Sequence, residues 1–335
     1  MSVTSQATGA SGTTHPPPPE FAFACNESHD ADEAAQRLHA WDQVYQQLTP
    51  GRFQGLTTDL WFESMQVFRE RSNRRIYQAG RAWPGSVTFG IPLAMDGFAR
   101  FCGEPMDLDT MLVLGPCGEL DFLTSPTLDI VGISIPQSKV TSFGGSRFVH
   151  EHGAARTPNR LIRMNPDAAA SLRTLVKSLF ESIEADPARL SVAGIREQIR
   201  DEVTEGLTTA GLDSVAQPLH AERHANQRAI VRRATEYVMA HTDEPIFVER
   251  LCEVIGVSRR SLQYAFEHVL GTSPVEYLRA VRLHCVRRAL KTTPRAAASI
   301  QDVAASWGFW HLGHFTTHYR QLFGCRPSET PRPAE

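Results

Sequence analysis

The chain is 335 residues long, enough for two domains with real hydrophobic cores. Its formal charge of −3 is unevenly spread: from Arg228 onward 15 Lys and Arg oppose 10 Asp and Glu, a net of +5, and the preceding residues carry −8. Six scattered cysteines without a CxxC pair, no apolar run of membrane-span length and no charged-then-apolar leader argue against a disulfide scaffold, a membrane protein or a secreted one, and predict a reducing, cytoplasmic setting.

The first stretch is rich in Ser, Thr and Gly and contains Pro16 to Pro19, which predicts a disordered tail over residues 1–30. Leu38, Trp41, Val44, Tyr45 and Leu48 recur at helical spacing and predict a helix from Asp32 to Leu48, stopped by Pro50-Gly51. From Leu56 to Ile135 short aromatic and β-branched runs alternate with Gly and Pro. Strands are expected at Trp61–Phe68, Arg74–Gln78, Ser86–Ile91, Phe98–Cys102, Thr110–Leu114, Glu119–Leu123 and Leu128–Ile135. Such spacing suggests a small barrel or jelly roll, a β-rich sensor or ligand-binding domain over residues 31–160.

Pro166 opens an amphipathic helix carrying Leu172, Leu175, Val176, Leu179, Phe180 and Ile183, and a second helix runs from about Val192 to Leu207. This helical connector, residues 161–215, has one apolar stripe per helix. The stripes either pack on the barrel or pair with another subunit in a homodimer. Residues 216–226 read as a linker. From Gln227 the pattern is helical throughout, giving an all-α domain over 227–330 and an α+β chain.

The last third repeats itself. Sliding by 52 maps Val248, Leu251 and Gly256 onto Ile300, Val303 and Gly308; past the turn a slide of 53 maps Leu262, Phe266, Gly271 and Pro274 onto Phe315, Tyr319, Gly324 and Pro327. Each copy is a short apolar-faced helix, a glycine turn and a second helix with a polar outer face. That is the helix-turn-helix pattern, whose second helix enters the DNA major groove. Between the copies, Pro274 starts a helix to about Leu290, rich in arginine on one side (Arg279, Arg282, Arg287, Arg288). At about 1.5 Å per residue it spans roughly 25 Å, a rod fit to separate two readers on successive grooves.

In the first copy Ser258 is placed to cap the second helix. Leu262, Ala265, Phe266 and Val269 turn inward, leaving Arg259, Arg260, Gln263, Tyr264 and Glu267 outside. Arginine grips a guanine edge and glutamine an adenine edge, so Arg260 and Gln263 are the expected base readers, with Arg259 suited to a phosphate. In the second copy Trp310 stands where a capping residue is expected, and Leu312, Gly313, His314 and Thr317 face outward, flanked by His318 and Arg320. Leu312 could touch a thymine methyl, and Gly313 permits close backbone approach. The second reader is expected to be the less electrostatic.

Other chemistry has weaker footing. His311, His314 and His318 share a helical face, but no Cys or carboxylate nearby completes a metal set. His150-Glu151-His152 could ligate a metal on a barrel strand, making a barrel enzyme or metal-dependent sensor, but it falls in a Gly-rich charged loop. Cys102 and Cys117 would serve a thiol sensor, though neither has a cationic neighbour in sequence. No Ser/His/Asp set, phosphate loop or paired carboxylates stand out, and no enzyme activity is expected.

Ser258-Arg259-Arg260-Ser261-Leu262, Gly271-Thr272-Ser273-Pro274, the arginine-rich middle helix and Gly308-Phe309 leading to His314-Phe315 resemble the DNA-binding module of the AraC/XylS family of bacterial transcription regulators. The family usually places Ser or Asp after the second Gly-Phe, where this chain has Trp310. A narrower resemblance, to the ethanolamine-utilisation regulators within that family, rests on residues 41–53, 66–70, 83–84, 89–92 and 307–313. The resemblance implies a ligand-responsive transcriptional activator of a catabolic operon with a cupin-like β-barrel sensor. Its partners would be double-stranded promoter DNA, RNA polymerase and a small-molecule effector, ethanolamine, with adenosylcobalamin as co-effector.

Overall fold

The computed structural model describes residues 21–62, 64–140, 159–212, 215–217, 225–241 and 244–334. The chain is α+β. An eight-stranded antiparallel sheet runs in the order β1 (Phe21–Ser28), β3 (Gly55–Phe62), β4 (Met65–Ser72), β11 (Thr127–Pro136), β6 (Ser86–Asp96), β9 (Thr110–Leu114), β12 (Arg160–Arg163) and β13 (Val215–Gln217). A five-stranded sheet runs β2 (Asp42–Gln47), β5 (Ile76–Arg81), β10 (Leu120–Leu123), β7 (Ala99–Phe101) and β8 (Glu104–Met106). The sheets face each other and are not closed into a barrel.

Helices cover both outer faces. In chain order they are α1 (Ala31–Ala35), α2 (Gln137–Val140), α3 (Pro166–Ala185), α4 (Ala193–Leu212), α5 (Ala225–Ala240), α6 (Val248–Ile255), α7 (Arg259–Leu270), α8 (Pro274–Thr292), α9 (Ile300–Ser306) and α10 (Leu312–Phe323). The apolar stripes of α3 and α4 (Leu172, Val176, Phe180; Ile199, Val203) pack on Val67, Phe89, Ile91, Val131 and Ile133 of the large sheet. Of the two placements open to them, the structure shows packing on their own sheet. Alternate residues of the same strands, such as Leu112, Leu114 and Ile130, point the other way and meet Leu120 and Phe122 of the small sheet. Strand β9 is therefore buried on both faces, which is why Met111–Leu114 reads as an unbroken apolar run.

Three expectations are corrected. The helix expected over Asp32–Leu48 is a five-residue helix followed by β2. The helix ends at Gln36, a positive φ of 61° at Ala40 then bars a return to helix, and the β-favouring Val44 and Tyr45 gain a ladder with β5. The tail expected to stay disordered to residue 30 contributes β1, paired with β3 along its full length. The strand expected across Trp61–Phe68 is the turn of a β3–β4 hairpin, because Phe62 pairs with Met65. His150, Glu151 and His152, and residues 1–20 of the tail, lie outside the described residues.

The second outer face, that of the small sheet, carries the C-terminal helices. Tyr77 and Leu123 belong to the same buried cluster as Val238, Leu251, Leu262, Phe266 and Tyr277. Charge reinforces this contact. Asp30 sits 3% exposed against Arg287, 10% exposed, and lies 3.0 Å from Lys291. Arg288 bonds Asp32 at 3.0 Å, Lys291 reaches Glu33 at 3.1 Å, and Gln47 N–H donates to His284 Nε2 at 3.0 Å. Two of the four arginines on one side of the middle helix, Arg287 and Arg288, are thus spent on the N-terminal domain. Burial alone would raise the Asp30 carboxyl, but the charges of Arg287 and Lys291 outweigh it and hold the group at about 2.

Inside the two sheets Glu70 accepts a hydrogen bond from the Tyr45 hydroxyl at 2.7 Å. Burial pushes its carboxyl up to about 7, against the Tyr45 and Gln78 hydrogen bonds.

Two outcomes follow. Asp30→Asn keeps the acceptor that caps α1, which takes the Asp32 N–H at 2.8 Å, but strands a buried guanidinium. Urea unfolding should show a loss of about 3 kcal/mol, and a loss near zero would mean the cluster is no stronger than a surface pair. Glu70 is raised in the folded state, so its contribution is full below about pH 4.5 and fades as pH climbs through 7. Glu70→Gln should therefore flatten the fall in melting temperature between pH 4.5 and 7 and raise it at pH 8.

Candidate nucleic-acid interface

Both repeats fold as a helix, a tight turn and a second helix. In α6, Val248, Leu251 and Ile255 face inward at spacings of three and four. Gly256 then takes φ 71°, a left-handed conformation that a side chain would strain, and α7 follows at once. Gly308, at φ 77°, makes the matching turn between α9 and α10. Leu262, Ala265 and Phe266 anchor α7, and Phe315 and Tyr319 anchor α10, all without measurable exposure.

The helix starts differ as their sequences require. Ser258 caps α7, its hydroxyl accepting the Ser261 N–H at 3.1 Å. Helix α10 begins at His311 with no side-chain cap, since Trp310 and His311 replace the usual short polar residue. The scaffold helices are fully capped: Ser299 with Asp302, and Ser273 with Glu276, form complete capping boxes on α9 and α8.

All eleven residues expected to face DNA are on the outer sides of α7 and α10 or at their starts. Ser258, Arg259, Arg260 and Tyr264 are exposed and Gln263 is half-buried; Leu312, Gly313, His314, Thr317 and Arg320 are exposed and His318 is half-buried. Arg259 lies 3.4 Å from Glu249, an exposed pair easily exchanged for another anion. Gln263 donates to Glu267, one helical turn on. Thr317 donates to the Gly313 carbonyl at 2.9 Å, and His318 is pushed down by burial and by the charges of Arg279 and His314.

Three residues beside these readers were not singled out as contacts by sequence reasoning. Trp310 is 75% exposed at the start of α10, next to Leu312, forming an apolar tip on the second reader. Arg326 joins Thr317 and Arg320 along one shallow groove, because the left-handed turn at Gly324 brings the chain back past the end of α10. That makes the second reader's flank more cationic than expected. Arg282, half-buried on α8, stacks over Phe247 at 5.1 Å and Phe309 at 5.0 Å. One guanidinium thereby ties the entry of the first unit to the turn of the second.

Among the described residues, His311, His314, His318 and Cys102 show no arrangement suited to the competing chemistries, while His150, Glu151 and His152 lie outside them. Among the described residues no three His, Cys, Asp or Glu side chains gather as a metal site, and the rings of His311, His314 and His318 stand 6.2 and 6.4 Å apart in sequence. Burial pushes the Cys102 thiol up to about 12, so it holds its proton at neutral pH and is no reactive thiolate. No helix among the described residues is long and apolar enough to cross a membrane.

Comparison with known proteins agrees with the geometry. A helix-turn-helix domain model matches residues 251–332. The chain is 40% identical over 103 residues to the probable thc operon regulatory protein of Rhodococcus erythropolis, a match covering 31% of each chain, so it spans about a third of that relative's length. It is 31% identical over 132 residues to XylDLEGF operon transcriptional activator 2 of Pseudomonas putida, covering 39% of this chain and 84% of the relative. A solved structure of a probable AraC family transcriptional regulator from Rhodopseudomonas palustris is 37% identical, covers 31% of this chain and 99% of its own, and superposes with a TM-score of 0.29. These relatives are regulators of transcription, not enzymes. The chain belongs to the AraC family of DNA-binding transcriptional regulators.

Proposed function

We propose that this protein is a ligand-responsive activator that places α7 and α10 in successive major grooves of double-stranded promoter DNA. The observation that carries the reading is the pair of exposed second helices, held by one continuous helix α8 and by the Arg282 stack between them. Activation follows the name of the Pseudomonas relative, an operon transcriptional activator, and RNA polymerase as partner rests on the family resemblance. The sheet-rich domain serves as a sensor of the cupin-like kind implied by the resemblance, with a catabolic operon as target. Ethanolamine with adenosylcobalamin as effector, and pairing into a homodimer, rest on that resemblance alone.

Recognition is divided between the two helices. Arg260 supplies a paired hydrogen bond to a guanine edge, Gln263 an adenine contact, and Arg259 a phosphate contact once released from Glu249. On α10, Leu312 and Trp310 provide apolar contact, while Arg320 and Arg326 meet the backbone.

Selection of binding sequences from a random pool, followed by affinity measurement on the winners, tests this directly. Arg260→Ala should relax preference at one base pair, at a cost of about 1–3 kcal/mol. Arg259→Ala should weaken binding evenly across sequences and lower the salt slope by about 1. Unchanged preference in Arg260→Ala would remove it from base reading. Arg282→Gln should lower the unfolding free energy by about 1–2 kcal/mol, the size of a desolvated cation–π contact. It should also weaken full-site binding more than binding to either half, and an equal loss on both would show that the stack does not set the spacing.

A further inference from the structure

Between the outward face of the small sheet and α5 the chain leaves a cleft of about 890 Å³, within the range of small-molecule sites. Its floor belongs to the N-terminal domain, through Tyr77 and Ala79 of β5 and Asp121 of β10. Its roof is α5, whose other face, with Ile230, Ala234 and Val238, is part of the core beneath the first helix-turn-helix. A molecule held here touches sensor and DNA-reading domain at once.

Charge selects what it holds. Three guanidiniums line the cleft, and each already has a carboxylate partner: Arg81 with Glu119, Arg228 with Glu104, and Arg232 with Glu236 at 3.2 Å. Asp121 differs. Among the described residues its carboxylate meets the Tyr77 hydroxyl and the more distant charges of Arg228 and Arg232, with no ion pair of its own. Burial outweighs these contacts and pushes its carboxyl up to about 6, the state of a group short of a positive partner. The strand alternation explains the placement: Leu120 and Phe122 point between the sheets, so Asp121 must point out beneath α5.

We propose that this cleft binds a small organic cation, an amine on an apolar body, with its nitrogen on Asp121 and its body against Tyr77, Ala79 and Met239. An ammonium gains a charge-assisted hydrogen bond in a partly desolvated site. A carboxylate ligand gains little by exchanging into the exposed Arg81 and Arg232 pairs, must displace the largely buried Glu104 to reach Arg228, and faces Asp121. The site deepens the ligand-responsive reading and rests on it for its consequence: a ligand that prefers one arrangement of floor and roof shifts the readers toward that arrangement.

Calorimetric titration of the full-length protein with benzylamine, benzyl alcohol and benzoate compares three charges on one ring. Benzylamine should bind at least about tenfold more tightly than the alcohol, and benzoate no more tightly than the alcohol. Asp121→Asn should bring the amine within about twofold of the alcohol, and Ala229→Phe, which fills the cleft from α5, should abolish binding of all three. Equal binding of the three probes, a preference for benzoate, or an amine preference untouched by Asp121→Asn overturns the site, and the first two need no variant to fold. Gel-shift assays on selected DNA separate this from the broader reading. DNA binding without amine binding sinks the cleft alone, whereas amine binding without selective DNA binding keeps the cleft and sinks the regulator.

Discussion

A five-stranded sheet that lends apolar residues to a core on each side is the constraint on which the rest of the molecule depends. Its inner face closes the N-terminal core with Phe101, Leu120 and Phe122, and its outer face gives Tyr77 and Leu123 to the core of the first helix-turn-helix unit. Neither domain can shift without exposing apolar surface that belongs to the other. The acid cluster at Asp30, Asp32 and Glu33 adds ion pairs to the cations on α8 across the same contact.

This arrangement couples the sheet-rich domain mechanically to both helix-turn-helix units. Helix α8 is the beam: one side meets the N-terminal acids, and Arg282 on another side links the two helix-turn-helix units. Helix α5 is the second connection, lying over the cleft and under the first reader. A small change in the separation of sheet and α5 would be passed to α7 through packed side chains, since close-packed interiors move between discrete arrangements more readily than they deform.

Several elements could be read directly from residues. The turns at Gly256 and Gly308, the cap at Ser258 and the inward faces of α7 and α10 depend on local geometry, and the sequence repeat displays each of them twice. Strand β9 was legible because it is buried on both sides and short. The β2 segment was not: Leu38, Trp41, Tyr45 and Leu48 imitate a helical stripe, and only pairing with β5 decides the matter. The hairpin turn between Phe62 and Met65 lacks the usual Gly or Asn signal, so β3 and β4 merged into one apparent strand.

The sequence by itself determined the two readers, their order and the residues they turn outward, because helical periodicity and glycine turns act over a few residues. Tertiary structure alone decided where the charges of the middle helix go. Arg287 and Arg288 look like any cationic face until residues some 250 positions earlier are folded against them. The Asp121 cleft is of the same kind. A carboxylate in an alternating strand becomes a candidate ligand group only when a distant helix partly covers it.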